Sequence, residues 1–319
     1  MRGSDATDAQ PAEIAPAAAD RRAAAPLRGI ALMLLAGLFY TLNNAAMKLV
    51  LEDIPLGQAI LIRGLVVCAP LLLLTRRRGG QPFRRSRLGA QSICAVLSAL
   101  TVCLFVGSLP YLSLPVAVTV SYTSPLFVVI MAPFLLGERI GVLRGCAAVI
   151  GFAGVVMIAR PAGGAFSWVI LMPLASALFM GLRDIAFRRF LASTDSLSIL
   201  TFSQIAVALV GLGLALFAWS PMGGLHVLLL VSAGACFGLG VFFTIGSFRH
   251  AEASTAAGFR HSGMLWAGLV GFIVWYELPS DGQIVGIPLM AISGVMFLMR
   301  TARRGKRAAS YQALGQHDR

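Results

Sequence analysis

The chain has 319 residues, 58% of them hydrophobic and only 12% charged, with a formal net charge of +13. A soluble domain carries about twice that charged fraction, and the apolar runs are too long and too numerous for one globular core. With a mean hydropathy of +0.83, the composition describes an all-α integral membrane protein and leaves no room for a soluble ATPase or a ligand-capturing domain.

Residues 1–27, rich in Ala, Pro and charge, read as a disordered cytoplasmic arm. No cleavable signal is expected, because the first long apolar run starts only after Arg28 and exceeds a signal-peptide core in length. Ten runs then fit a span of about 20 residues: 28–50, 56–75, 88–109, 113–136, 141–159, 167–190, 196–218, 225–248, 252–276 and 283–300. A basic tail, 301–319, follows. With the N-terminus cytoplasmic, Arg76-Arg77-Arg78, Arg84, Arg85, Arg87, Arg139, Arg144, Arg188, Arg189, Arg249 and the tail all fall on one side. The opposite loops offer Arg160 beside acidic Glu52, Asp53 and Asp281. This positive-inside asymmetry puts both termini in the cytoplasm of a cell (inner) membrane protein and accounts for the basic charge without nucleic acid. Trp168, Trp219 and Trp275 fall at expected outer helix ends, as an aromatic belt requires. The five cysteines lie in apolar spans without metal spacing and read as small packing residues.

The chain also repeats itself. Ser108–Met157 aligns without a gap on Ser247–Met296 at an offset of 139, pairing Glu138 with Glu277; the block Leu38–Lys48 aligns on Leu178–Arg188 at an offset of 140. A repeated membrane half with an odd number of spans inserts in opposite orientations. The expected halves are 28–161 (helices 1–5) and 162–300 (helices 6–10). Small residues at four-residue spacing, Gly263-Ala267-Gly271 in the ninth span and Gly234-Gly238 in the eighth, read as helix-packing faces. Pro115 and Pro125 flank Ser121-Tyr122-Thr123-Ser124, a kinked polar stretch that either lines a cavity or bonds to neighbouring helices.

Pro125-Leu126-Phe127 followed by Leu136-Gly137-Glu138 resembles the signature of the drug/metabolite transporter superfamily, EamA type. Lys48 and Arg63 match the same pattern. The second copy keeps Glu277 but has Met264 where the first has Pro125. The resemblance covers about residues 28–300 and implies ten helices in two inverted five-helix halves around a central cavity. It implies a secondary transporter, with no cofactor, moving a small-molecule metabolite through the lipid bilayer. Phe259-Arg260-His261 is similar to a subgroup that includes S-adenosylmethionine and riboflavin uptake proteins. A homodimer is an open expectation.

Charges at membrane depth are expensive, which makes each one a functional candidate. Arg260 lies 17 residues before Glu277, about 25 Å along a helix, and either snorkels to the interface or serves as a cavity cation; His261 faces about 100° away. Asp184 is the proton-coupling candidate, with an Asp184–Arg188 pair at i, i+4 as its plain alternative; Arg183 adjoins it. Arg63 either steers anions or pairs with Glu52 or Asp53. Glu138 with Arg188, and Glu277 with Lys48, are expected as two symmetry-related ion pairs that open and close in turn. Asn43, Asn44, Tyr40, Tyr122 and Trp266 supply further polar and aromatic surface, Trp266 either filling space or stacking on a planar ring. A cavity combining Arg63, Arg183 and Arg260 with one Asp favours an amphipathic substrate bearing a carboxylate or phosphate, an amino acid or a relative of one. A membrane enzyme needs clustered catalytic or metal-ligating groups, and His226, His250, His261 and His317 are dispersed. A channel needs rings of charge or a filter-like loop.

Overall fold

The computed structural model describes residues 15–77, 79, 88–137, 142–159, 168–190, 196–250, 259, 262–293 and 295–296. Backbone N–H and C=O groups find no water in hydrocarbon, so spanning segments satisfy them internally as helices or closed barrels. Here they are helices. In chain order these are α1 (Ala15–Val50), α2 (Leu56–Arg77), α3 (Leu88–Ser108), α4 (Leu114–Ser121), α5 (Ser124–Leu136) and α6 (Val142–Ala159). A 3-10 turn, Trp168–Ile170, leads into α7 (Leu171–Phe190), followed by α8 (Ser196–Ala215), α9 (Gly224–His250) and α10 (Ser262–Trp275). A last helix, α11, covers 281–293. No strand occurs among the described residues.

Among the described residues, seven stretches are long and apolar enough to cross a bilayer: 27–50, 56–77, 88–108, 114–136, 168–187, 197–215 and 224–250. Gly145–Ile158 and Ser262–Trp275 are shorter apolar helices. The chain is a multi-pass membrane protein. The ninth and tenth expected spans run partly over residues outside those described, as do the arm's first 14 residues and the tail 301–319.

Two elements differ from the sequence expectation. α1 takes in residues 15–27, which read as disordered arm; the run of alanines there (Ala15, Ala17–Ala19, Ala23–Ala25) supplies the highest intrinsic helix propensity available. The expected single span 113–136 is two helices meeting at Tyr122–Thr123. Pro125 has no N–H to donate back to Ser121. The hydroxyls of Ser121 and Thr123 turn onto the carbonyls of Val118 and Val120, each at 2.7 Å. α5 then ends at Gly137, whose φ of 68° is the left-handed cap that glycine adopts without strain.

The helices pack as α1 on α9, α2 on α8 and α9, α3 on α7 and α8, α7 on α4 and α5, and α10 on α1 and α4. Lipid tails are as apolar as the helix surfaces, so close backbone approach and interhelical hydrogen bonds do the holding. Hydroxyls reach across several crossings: Ser247 to Gly29 O (2.6 Å, α9 to α1), Ser176 to Thr101 O (2.9 Å, α7 to α3) and Ser293 to Ala147 O (2.6 Å, α11 to α6). The α2–α8 crossing is set by glycine. A Cβ on Gly211 would stand 2.7 Å from Leu61 N, and one on Gly57 2.5 Å from Ala215 N. Of the glycines expected on packing faces, Gly234 meets Val66, Gly263 meets Tyr122 and Gly271 meets Pro115. A Cβ on Gly238 would have nothing within 4 Å among the described residues.

Gly211→Ala is expected to lower stability by about 1–3 kcal/mol, because the new methyl meets fixed backbone rather than a movable side chain. Gly213→Ala, two residues on and with open space around it, is expected to raise stability by about 0.5–1 kcal/mol. Thermal unfolding of the two variants in detergent checks the pair.

Candidate functional site

Polar side chains interrupt the apolar surface of α1 along its last three turns, and several of them bond to other helices. The Tyr40 hydroxyl lies 3.4 Å from that of Thr244 on α9, and Thr41 donates to Gly263 O on α10 at 3.5 Å. Trp266 donates its indole N–H to Leu34 O on α1 at 3.0 Å, so its ring is tied into the α1–α10 crossing. Tyr122 crosses the same contact: a Cβ on Gly263 would stand 2.3 Å from its hydroxyl oxygen.

At the end of α1 stands Lys48, 8% exposed. Its Nζ donates to Glu277 Oε1 at 2.5 Å and to Leu112 O at 3.0 Å, and lies 4.6 Å from the centre of the Trp275 ring. Glu277 Oε2 accepts the backbone N–H of Leu114 at 3.0 Å. That N–H is one of the four that the first turn of a helix leaves without an intrahelical partner, and a carboxylate there also meets the positive end of the α4 dipole. Tyr276, at φ 55°, reverses the chain after α10 and sets Glu277 back toward the bundle. One carboxylate thus joins α1, the α3–α4 turn and the end of α10.

Arg63, on α2, is 3% exposed. Neither Glu52 nor Asp53 pairs with it; Asp53 instead meets His226 Nε2 at 3.1 Å. The guanidinium sits 5.3 Å from the centre of the Phe237 ring, and Nη1 donates to Asn43 Oδ1 at 3.3 Å. Asn43 in turn donates to Asn44 Oδ1 at 2.9 Å. Turning the Asn43 amide over would let it donate to Ala233 O at 3.1 Å. We assign the orientation that keeps its oxygen on Arg63, because a buried cation without an acceptor is the costlier arrangement. In both orientations Nε and Nη2 of Arg63 have no acceptor among the described residues.

Arg183 and Asp184 form a second cluster. Nε and Nη2 of Arg183 lie 3.2 and 3.0 Å from Asp184 Oδ1, with about a third of each side chain exposed. Asp184 thus meets its chain neighbour; the side chain of Arg188, the other expected partner, lies outside the described residues, as do Glu138, Arg260 and His261. Arg189, which the sequence marked only as part of the basic side, ties α7 to the end of α5 through Leu135 O at 2.7 Å.

The two arginines do not share one cluster. Ser176 fixes the level of α7 against Thr101 of α3, and Asp184 lies eight residues beyond it, about 12 Å farther from the Lys48 end. Arg63 lies seven residues from the start of α2, about 10 Å below the Lys48 end. The geometry puts the buried Arg63 in one half of the bundle and the Arg183–Asp184 pair in the other.

Comparison with known proteins places this arrangement. An S-adenosylmethionine uptake transporter of Rickettsia prowazekii is 27% identical over 188 residues, 59% of this chain and 64% of that one. This chain thus aligns with less than two thirds of that relative's length. A pseudopaline exporter of Pseudomonas aeruginosa is 25% identical over 86% of this chain and 97% of its own. A riboflavin transporter of Vibrio cholerae is 25% identical over 88% of this chain and 96% of its own. One solved crystal structure superposes with a TM-score of 0.60 over 88% of this chain and 98% of that one, at 20% identity, a likeness of fold alone. Residues 27–160, less than half of the chain, match the EamA-like transporter family, and the relatives described above are named as transporters.

Proposed function

We propose that the protein is a secondary carrier that moves a small amphipathic metabolite by alternating access across the inner membrane, both termini cytoplasmic. The substrate class is an amino acid or a related compound bearing a carboxylate or phosphate. The carrier comprises ten spans in two inverted halves, 28–161 and 162–300. The observation that carries this reading is the contact of Lys48 with Glu277, which joins three chain segments at one end of the bundle. A carrier must seal one end while the other opens. A buried ion pair suits that task, because either partner alone in an apolar setting is costly. Such a pair makes or breaks as a unit and favours two discrete states over a continuum.

The packing of the helices supports inverted halves. Under the sequence offset, α1 answers to α7, α2 to α8, α3 to α9, and α4–α5 to α10. The packing of α1 on α9 then answers to α7 on α3, α1 on α10 to α7 on α4 and α5, and α2 on α9 to α8 on α3. The α2–α8 and α4–α10 contacts answer to themselves, as a two-fold axis passing through both requires. By the same relation, Glu138 and Arg188 form the gate at the opposite end. Asp184, an acid held by Arg183 in that half, is the proton-coupling group; Asn43, Asn44, Tyr122, Arg183, Arg260, His261 and Trp266 line the path. A second reading, uptake of an S-adenosylmethionine- or riboflavin-like metabolite, is favoured by the names of two of the relatives.

Counterflow in proteoliposomes tests the carrier. Unlabelled substrate inside the vesicle is expected to accelerate entry of the labelled compound several-fold; equal entry with and without it identifies a channel. Glu277→Gln and Lys48→Met are each expected to lower stability by about 3–5 kcal/mol, since one buried charge is left alone. Lys48→Met/Glu277→Leu recovers most of that loss without recovering exchange. If the single variants exchange substrate at the wild-type rate, the gate assignment is wrong.

A further inference from the structure

Two charged side chains are buried among the described residues, Lys48 and Arg63. Lys48 is neutralised by Glu277. Arg63 has no acidic partner among those residues, only the Asn43 amide oxygen and the face of Phe237. A guanidinium shut away from water without a counter-ion is an expensive thing to fold around. It belongs to a site that something else completes.

The geometry names the completing group. Asn43 occupies Nη1, and the two nitrogens left without an acceptor are Nε and Nη2. Those two N–H groups lie on one edge of the guanidinium and point the same way, the fork that matches the two oxygens of a carboxylate or phosphate. Phe237 stacks on the plane and Asn43 holds the opposite corner, so the fork has a fixed direction. Among the described residues, the other buried cation, Lys48, is held by Glu277, and Arg183 is held by Asp184. One guanidinium balances one negative charge, which favours a carboxylate over a doubly charged phosphate. Asn43 is five residues before Lys48, about 7 Å inward along α1.

We propose that the Nε–Nη2 edge of Arg63 receives the carboxylate of the transported molecule, and that Arg63 is the residue that selects acid-bearing substrates over their acid-free analogues. This assignment rests on the carrier reading above and adds to it the residue that recognises the acid group and the choice of carboxylate over phosphate. Asn43 is a positioning residue: it holds Nη1 so that the other edge faces the path.

The test uses the full chain in proteoliposomes with matched pairs of compounds: S-adenosylmethionine and its decarboxylated form, L-methionine and L-methioninamide, L-glutamate and L-glutamate diamide, with riboflavin as an acid-free planar control. At least one acid is expected to exchange and its acid-free partner to exchange about 100-fold less well. Arg63→Met is expected to lose about 100-fold in apparent affinity for that acid, and Arg63→Lys, which keeps the charge but not the fork, about 10-fold. Thermal unfolding without substrate separates this role from a structural one. Arg63→Met removes an uncompensated charge and is expected to unfold at the wild-type temperature or above, whereas an arginine serving only the fold would lower it. Three outcomes overturn the assignment while leaving the carrier standing: exchange of riboflavin with none of the acids, equal exchange of an acid and its partner, or wild-type affinity in Arg63→Met. Exchange of nothing in the panel contradicts both.

Discussion

A lysine ammonium 2.5 Å from a glutamate carboxylate, largely shielded from solvent at one end of the bundle, is the contact on which the rest of the bundle depends. The low-dielectric surroundings make the pair strong while it is closed and make each half of it costly when apart. Every group attached to the pair therefore moves with it. Lys48 brings the end of α1, Leu112 O and Leu114 N bring the α3–α4 turn, and Glu277 brings the end of α10. The same carboxylate caps α4, so opening the pair also frees the first turn of a short helix. That coupling turns a local ionic contact into a lever on three elements.

The glycine crossings give the lever something to act against. α2 and α8 approach through Gly57 and Gly211, and α6 and α11 through Gly154 and Gly286, where a Cβ on either would stand within 3 Å of the other's carbonyl oxygen. Such crossings cannot slide by small steps, because backbone meets backbone. Tyr122 and Thr123 break the fourth span where it faces α10 and α7. Rigid crossings with one broken helix between them favour movement of whole bundles about the break over bending throughout.

How much of this was written in the residues differs from element to element. The helices were legible because long apolar runs admit little else in a bilayer. Lys48 and Glu277 were legible as a pair because the repeat put their counterparts, Arg188 and Glu138, at matching positions, and a basic and an acidic residue at one membrane face have few other partners. The break at Tyr122–Thr123 was legible only as a kink, since proline shows where a hydrogen bond is lost and not how the neighbouring hydroxyls respond. Gly238 and Gly211 look alike in sequence, yet only Gly211 sits where another backbone passes. Arg63 stood out as a charge at membrane depth. Its surroundings come from α1 and α9, far apart along the chain, so its freedom from Glu52 and Asp53 was not legible. The contact of Arg183 with Asp184 was not legible in the same way, because a long side chain folding back on its neighbour leaves no periodic trace.

Two bound states linked by one ion pair are the centre of this account, and distance measurement addresses them directly. Glu52 and Leu278 are exposed at the Lys48 end and can carry spin labels without disturbing the pair. Pulsed dipolar spectroscopy between them is expected to show two populations of distance in the wild-type protein, with the longer one dominating when Glu277 is replaced by Gln. A single population that the replacement leaves unchanged would contradict the account.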